Sequence, residues 1–188
     1  DMIIHCIFKD ADGTDRFRED VAERIGNRGA FVNPTLHVPR STIWALEHKK
    51  ADTGLTPAEQ AKLDDQSRQF EGRIEDARKL VDMGLKLITG SDSSWGDYQL
   101  GNTVLETECL VMAGLSPMQG VVSVTSEAAK ALGVDDEVGS LEPGKQADII
   151  AVNGNPDEDL NALWNVTDVM LGGKLVERGS TASIAATR

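Results

Sequence analysis

Only two cysteines, Cys6 and Cys109, occur in the 188 residues, and no CxxC-type spacing joins them. Neither a disulfide framework nor a thiolate zinc site is suggested, and a reducing compartment fits best. Positive charge is also scarce: 19 lysines and arginines stand against 31 aspartates and glutamates, for a formal charge of -12. Such a balance suits neither a phosphate backbone nor an anionic membrane surface. The expected partner is a small molecule, with no nucleic acid and no membrane. No apolar run approaches the roughly 18 to 20 residues that span a bilayer, and no signal-peptide pattern is visible. A cytoplasmic location is therefore expected. Internal repeats and low-complexity segments are missing too. So is a starting methionine: the chain opens "DMIIHCIF", already a strand, as though it began inside a longer polypeptide.

What is there suffices for one domain, or one domain with a small appendage. The apolar run from Met2 to Phe8, interrupted by His5, predicts a strand covered on both faces. Phe17, Val21 and Ile25 recur at helical spacing up to Gly26. "GAFVNPTL" predicts the second strand, ending or bending near Asn33 to Thr35 because Pro34 cannot donate to a ladder. Thr56, Pro57 and Glu59 form a capping box, Gly84 supplies a left-handed cap, and Leu63, Phe70, Ile74, Ala77 and Val81 form the apolar stripe between them. Leu85 to Thr89 predicts a third strand. A second capping box, Ser116, Pro117 and Gln119, opens a helix that ends at Gly133. This alternation of strand and helix predicts an α/β unit with a parallel sheet and right-handed crossovers. After Gly133 the pattern changes: Pro143 and Gly144 suit a type II turn, "QADIIAVNG" reads as a strand, and Gly172 with Gly173 suits a tight hairpin. The expected division is 1–133 for the α/β part and 134–188 for a small β module.

Ligands of parallel α/β folds gather at the carboxyl ends of the strands. His5, Asn33 with Thr35, and Asp92 lie at or near such ends, so they could face one pocket. Each also has a plainer role. His5 suits a core histidine with one backbone hydrogen bond, Asp92 suits a cap, and Asn33 and Thr35 suit a turn. His37 lies just beyond the second strand and is a candidate lining residue, or simply solvated. Ser93, Ser94, Trp95 and Tyr98 follow Asp92, where they would contact a substrate or cover the mouth of the sheet. Taken together, His5 and Asp92 are more informative, because imidazole and carboxylate are usual ligands of a catalytic zinc-type ion. Two ligands are one short of the three that a hydrolytic zinc needs.

The segment GSLEPGKQADIIAV, followed by NPDEDL and the hairpin ending GGKLV, resembles the carboxyl-terminal part of the amidohydrolase superfamily. The similarity is greatest to its branch of imidazolonepropionase-like enzymes and Xaa-Pro dipeptidases. The resemblance implies the last three β/α units of a (β/α)8 TIM-type barrel, strands six to eight, plus carboxyl-terminal strands of a small β-sandwich. It implies that His5 matches the strand-six histidine of the second, more exposed metal. Asp92 matches the strand-eight aspartate that binds the first metal and serves as base. A divalent metal follows as cofactor, zinc in preference, as one or two ions. The local motifs depart slightly: His5 is followed by Cys6 rather than glycine, and Asp92 is preceded by Ser91 rather than threonine.

The larger departure is that the His-x-His pair of strand one, the strand-four lysine or glutamate and the strand-five histidine have no counterpart here. The missing barrel half is expected from the same parent chain or from a partner chain. The chain alone is expected to be poorly stable or to associate, a homo-oligomer included. The implied activity is metal-dependent hydrolysis of C–N bonds in a dipeptide, an N-acyl amino acid or a cyclic amide, by the longer enzyme, with the isolated chain inactive. Three alternatives stand beside it: a deaminase of the same superfamily, a catalytically empty assembly module, and a domain that binds a polar small molecule without metal.

Overall fold

The computed structural model describes residues 1–92 and 103–177. Three short strands form one parallel sheet in the order β1-β2-β3: β1 is Met2–Ile4, β2 is Phe31–Asn33 and β3 is Lys86–Leu87. Their register sets Ile4 beside Asn33 and Val32 beside Leu87, so the three carboxyl ends lie side by side. Strand β1 departs from expectation. It stops at Ile4 instead of Phe8 and forms an edge, with Ile4 and Ile7 52% and 44% exposed instead of covered on both faces. The cause is His5, whose positive φ turns the chain out of the ladder.

Helix α1 (Glu19–Asn27) returns the chain from β1 to β2 and buries Ala22 and Ile25. Between β2 and β3 stand two helices, α2 (His37–Asp52) and α3 (Pro57–Asp82), where the apolar pattern indicated one. The ends of α3 are as expected. Thr56 accepts from the Glu59 amide and its own amide donates to the Glu59 carboxylate, while Gly84 takes φ 74° just beyond the helix. Its buried stripe ends on Leu80, with Val81 only half-buried. Helix α4 (Val104–Met112) is a second element without an indication in the sequence reading. Helix α5 (Pro117–Val124) carries the expected second capping box, and after a break at Thr125, α6 (Ser126–Leu132) ends at Gly133 with φ 71°. Val32, Leu36, Leu80, Leu110 and Cys109 form the centre of the core beneath the sheet.

The remaining strands are antiparallel: β4 (Ile149–Val152) pairs with β5 (Val166–Leu171), which pairs with β6 (Lys174–Leu175). Gly172 and Gly173 both take positive φ, as a two-residue I′ hairpin requires. A 3-10 turn, Leu160–Trp164, ties this part to α4 through the Trp164 indole N–H, which donates to Glu108 Oε1 at 2.6 Å. Among the described residues no helix is long and apolar enough to cross a membrane.

Candidate functional site

Three non-glycine residues among those described have positive φ: His5 at 56°, Thr35 at 50° and Asp92 at 45°. They follow β1, β2 and β3 respectively, so the backbone strain is gathered at one end of one sheet. Left-handed backbone at such residues costs on the order of 1 to 3 kcal/mol each, persists only where surrounding contacts enforce it, and clusters at functional sites. Thr35 is the most telling because its side chain is β-branched.

His5 donates its amide to the Asn33 carbonyl at 3.0 Å, extending the ladder by one bond before the chain turns away. Its Nδ1 lies 3.0 Å from the Thr35 hydroxyl oxygen. That hydroxyl donates its single proton to the Pro34 carbonyl at 2.8 Å, so toward His5 it can only accept. With both hydroxyl contacts made, Nδ1 is the donor and Nε2 is left with a lone pair. Nε2 lies 3.8 Å from Asp92 Oδ2. Two acceptors at that distance make no hydrogen bond with each other. The separation suits two ligands of one cation, given metal–nitrogen and metal–oxygen distances of roughly 2.0 to 2.2 Å. The side chains are 53% exposed for His5 and 25% for Asp92, so the space between them opens to solvent. Among the described residues no third His, Cys, Asp or Glu joins them. The chemistry of these two side chains fits a cation, and they could supply two of its ligands.

Asn33 and Thr35, expected at the pocket, are buried beneath it. Asn33 Oδ1 accepts the Thr35 amide at 3.3 Å, and its amide nitrogen occupies the place a Cβ on Gly90 would take, at 2.0 Å. Only glycine at 90 lets the ends of β2 and β3 approach this closely. Thr89, one residue earlier, shares its hydroxyl with Ser123 at 2.8 Å and Thr107 at 3.3 Å. His37 does not line a solvent-open pocket: at 2% exposure it opens α2, and burial together with the Arg40 charge pushes its pKa down to about 4. Ser93, Ser94, Trp95 and Tyr98 lie outside the described residues.

One residue of consequence was not indicated by the sequence reading. Glu106 of α4 is fully buried, and its two carboxylate oxygens accept the backbone N–H groups of Leu36 at 2.9 Å and His37 at 2.6 Å. Burial lifts its pKa to about 7, against the pull of those two amides and of Arg73. A signal existed: Glu106 stands three and four residues before Cys109 and Leu110 on an otherwise apolar helix face, all three fully buried. Its partners, 69 and 70 residues away, leave no trace in the local sequence.

Against this geometry, the model of the amidohydrolase family matches residues 4–176. The 5-methylthioadenosine/S-adenosylhomocysteine deaminase of Teredinibacter turnerae is 26% identical over 97% of this chain and 36% of its own length. The imidazolonepropionase of Geobacillus kaustophilus is 34% identical over 55% of this chain and 26% of its own. A crystal structure of a Xaa-Pro dipeptidase with bound methionine in the active site superposes with a TM-score of 0.69 at 29% identity, covering 95% of this chain and 40% of that one. The chain thus spans well under half the length of each.

Proposed function

The chain belongs to the amidohydrolase family, and from that premise we propose that it carries the carboxyl-terminal part of a metal-dependent hydrolase of C–N bonds. The substrate class is a dipeptide, an N-acyl amino acid or a cyclic amide. The observation that carries this is His5 Nε2 set 3.8 Å from Asp92 Oδ2, with Nδ1 engaged by the Thr35 hydroxyl. His5 and Asp92 would hold the cation, zinc in preference, with the other ligands from the rest of the enzyme. When bound, a divalent cation polarises the scissile carbonyl and makes a water nucleophilic near neutral pH. Asp92, partly exposed at the mouth of the sheet, is the base that takes the proton of the attacking water and returns it to the leaving nitrogen. Thr35 holds His5 in the tautomer that leaves Nε2 unprotonated. Substrate contact falls to Ser93, Ser94, Trp95 and Tyr98, since Thr35 and His37 are each only 2% exposed.

The test is Asp92→Asn in the full-length protein, assayed on a panel of dipeptides, N-acyl amino acids and cyclic amides. Loss of hydrolysis with an unchanged circular dichroism spectrum is expected, and undiminished turnover would sink the assignment. A deaminase is the second reading, favoured by the deaminase relative that aligns with 97% of this chain. Product analysis separates the two: ammonia without a new carboxylate indicates deamination.

A further inference from the structure

One short helix contacts the segments that follow both β2 and β3, close to the His5–Asp92 pair. Helix α4 places Glu106 under the end of β2 and Thr107 under the end of β3. Glu106 is the more demanding contact, because a fully buried carboxylate must have its oxygens satisfied. It satisfies them on the first two amides at the start of α2, which the Leu36 side chain does not cap. Those amides belong to the two residues after Thr35. Holding them fixes the two peptide planes that follow Thr35, which sits at φ 50°, a conformation a β-branched residue abandons when its surroundings allow. The Thr35 hydroxyl in turn sets the proton on His5 Nδ1.

We infer that Glu106 is a positioning residue of the hydrolytic site, acting through the Leu36 and His37 amides and the Thr35 hydroxyl to fix the tautomer and aim of His5. The inference rests on the proposal that His5 and Asp92 hold the metal. It also goes beyond it, by giving a buried side chain on a different element control over a ligand it never touches. Replacing Glu106 by glutamine keeps the size but turns one acceptor into an NH2 donor aimed at a backbone N–H. The Leu36–His37 turn must then shift, and Thr35 with it.

The experiment is nitrogen-15 NMR of histidine-labelled, metal-free full-length protein, with the His5 signals assigned by their absence in His5→Gln. The wild type is expected to show His5 protonated on Nδ1 alone, and Glu106→Gln a mixture of both tautomers. Zinc, added alone, should bind Glu106→Gln roughly tenfold more weakly than wild type, as for outer ligand-supporting residues. Should Glu106→Gln fail to fold, Thr35→Val tests the last link by the same spectrum, with mixed tautomers again expected. In the double variant the zinc affinity should fall no further than in the worse single one, since both act along one path. A wild-type tautomer and zinc affinity in Glu106→Gln, or a wild-type tautomer in Thr35→Val, overturns the inference. Asp92→Asn, titrated in parallel, separates the two levels. If it loses zinc while Glu106→Gln behaves as wild type, only the positioning role falls. If it binds zinc as wild type does, the metal assignment itself has failed.

Discussion

At position 35 the protein keeps a β-branched residue in left-handed backbone and spends its hydroxyl on two partners, His5 and the Pro34 carbonyl. If the hydroxyl is what matters, shape and chemistry come apart under substitution. Thr35→Ser, which keeps the hydroxyl, should bind zinc as the wild type does. Thr35→Val, which keeps the shape, should bind it on the order of tenfold more weakly. Isothermal titration of both in the full-length protein checks this, and equal affinities would remove Thr35 from the site. Individual residues were unevenly legible in the sequence. His5 and Asp92 could be singled out because each interrupts or closes an apolar strand. Thr35 was visible as a pocket-facing residue at a strand end or a turn former next to proline, but its contact with His5 was not, since that contact spans 30 residues. His37 was placed near the pocket by its position in the chain, yet its side chain turns inward as α2 begins.

Among the elements, those with local start and stop chemistry were readable. Helix α3 has its capping box, its proline at the first helical position and Gly84, and α5 has the same box. Helix α2 has no such signal because its cap is Glu106, a residue of another helix, and the first turn holds Pro39 instead of acidic side chains. Helix α4 has no cap from the Thr103 side chain and is short and largely apolar, a pattern that periodicity alone does not separate from a buried strand. The close approach of β2 and β3 sets a prediction at this scale. In Gly90→Ala the new Cβ meets the Asn33 amide nitrogen at 2.0 Å and Cγ at 2.9 Å, so Asn33 must move and release the Thr35 amide. A loss of about 1 to 3 kcal/mol in urea unfolding is expected, as for overpacking of a filled site. Unchanged stability would show that the ends of β2 and β3 are less tightly joined than this contact implies.

Across the whole molecule, two buried titratable groups act in opposite directions on the pH dependence of stability. The Glu106 carboxyl is raised from 4.5 to about 7, so the folded state binds its proton more tightly than the unfolded chain. Its contribution therefore falls as pH rises from about 4.5 to 7. His37 is lowered from 6.5 to about 4, so the folded state binds that proton less tightly, and its contribution is lost as pH falls through the same region. Arg73 faces the first group and Arg40 the second. In Glu106→Gln only the histidine slope of this pair remains. Its stability should rise more steeply than wild type between about pH 5 and 6.5 in urea unfolding, and parallel curves would contradict the raised carboxyl. At this scale the parallel sheet, the change of pattern after Gly133 and the glycine hairpin were legible, because each rests on short-range signals. The exposure of Ile4 and Ile7 was not, since a continuous apolar run looks the same whether a neighbouring layer covers it or not.

The central claim is that His5 and Asp92 hold a catalytic cation, and the most direct test is zinc content per chain in the purified full-length protein, wild type against Asp92→Asn, by elemental analysis. Near-stoichiometric zinc is expected in the wild type and its loss in the variant, together with the loss of hydrolysis. Equal zinc in both proteins, or hydrolysis that persists in the variant, would contradict it.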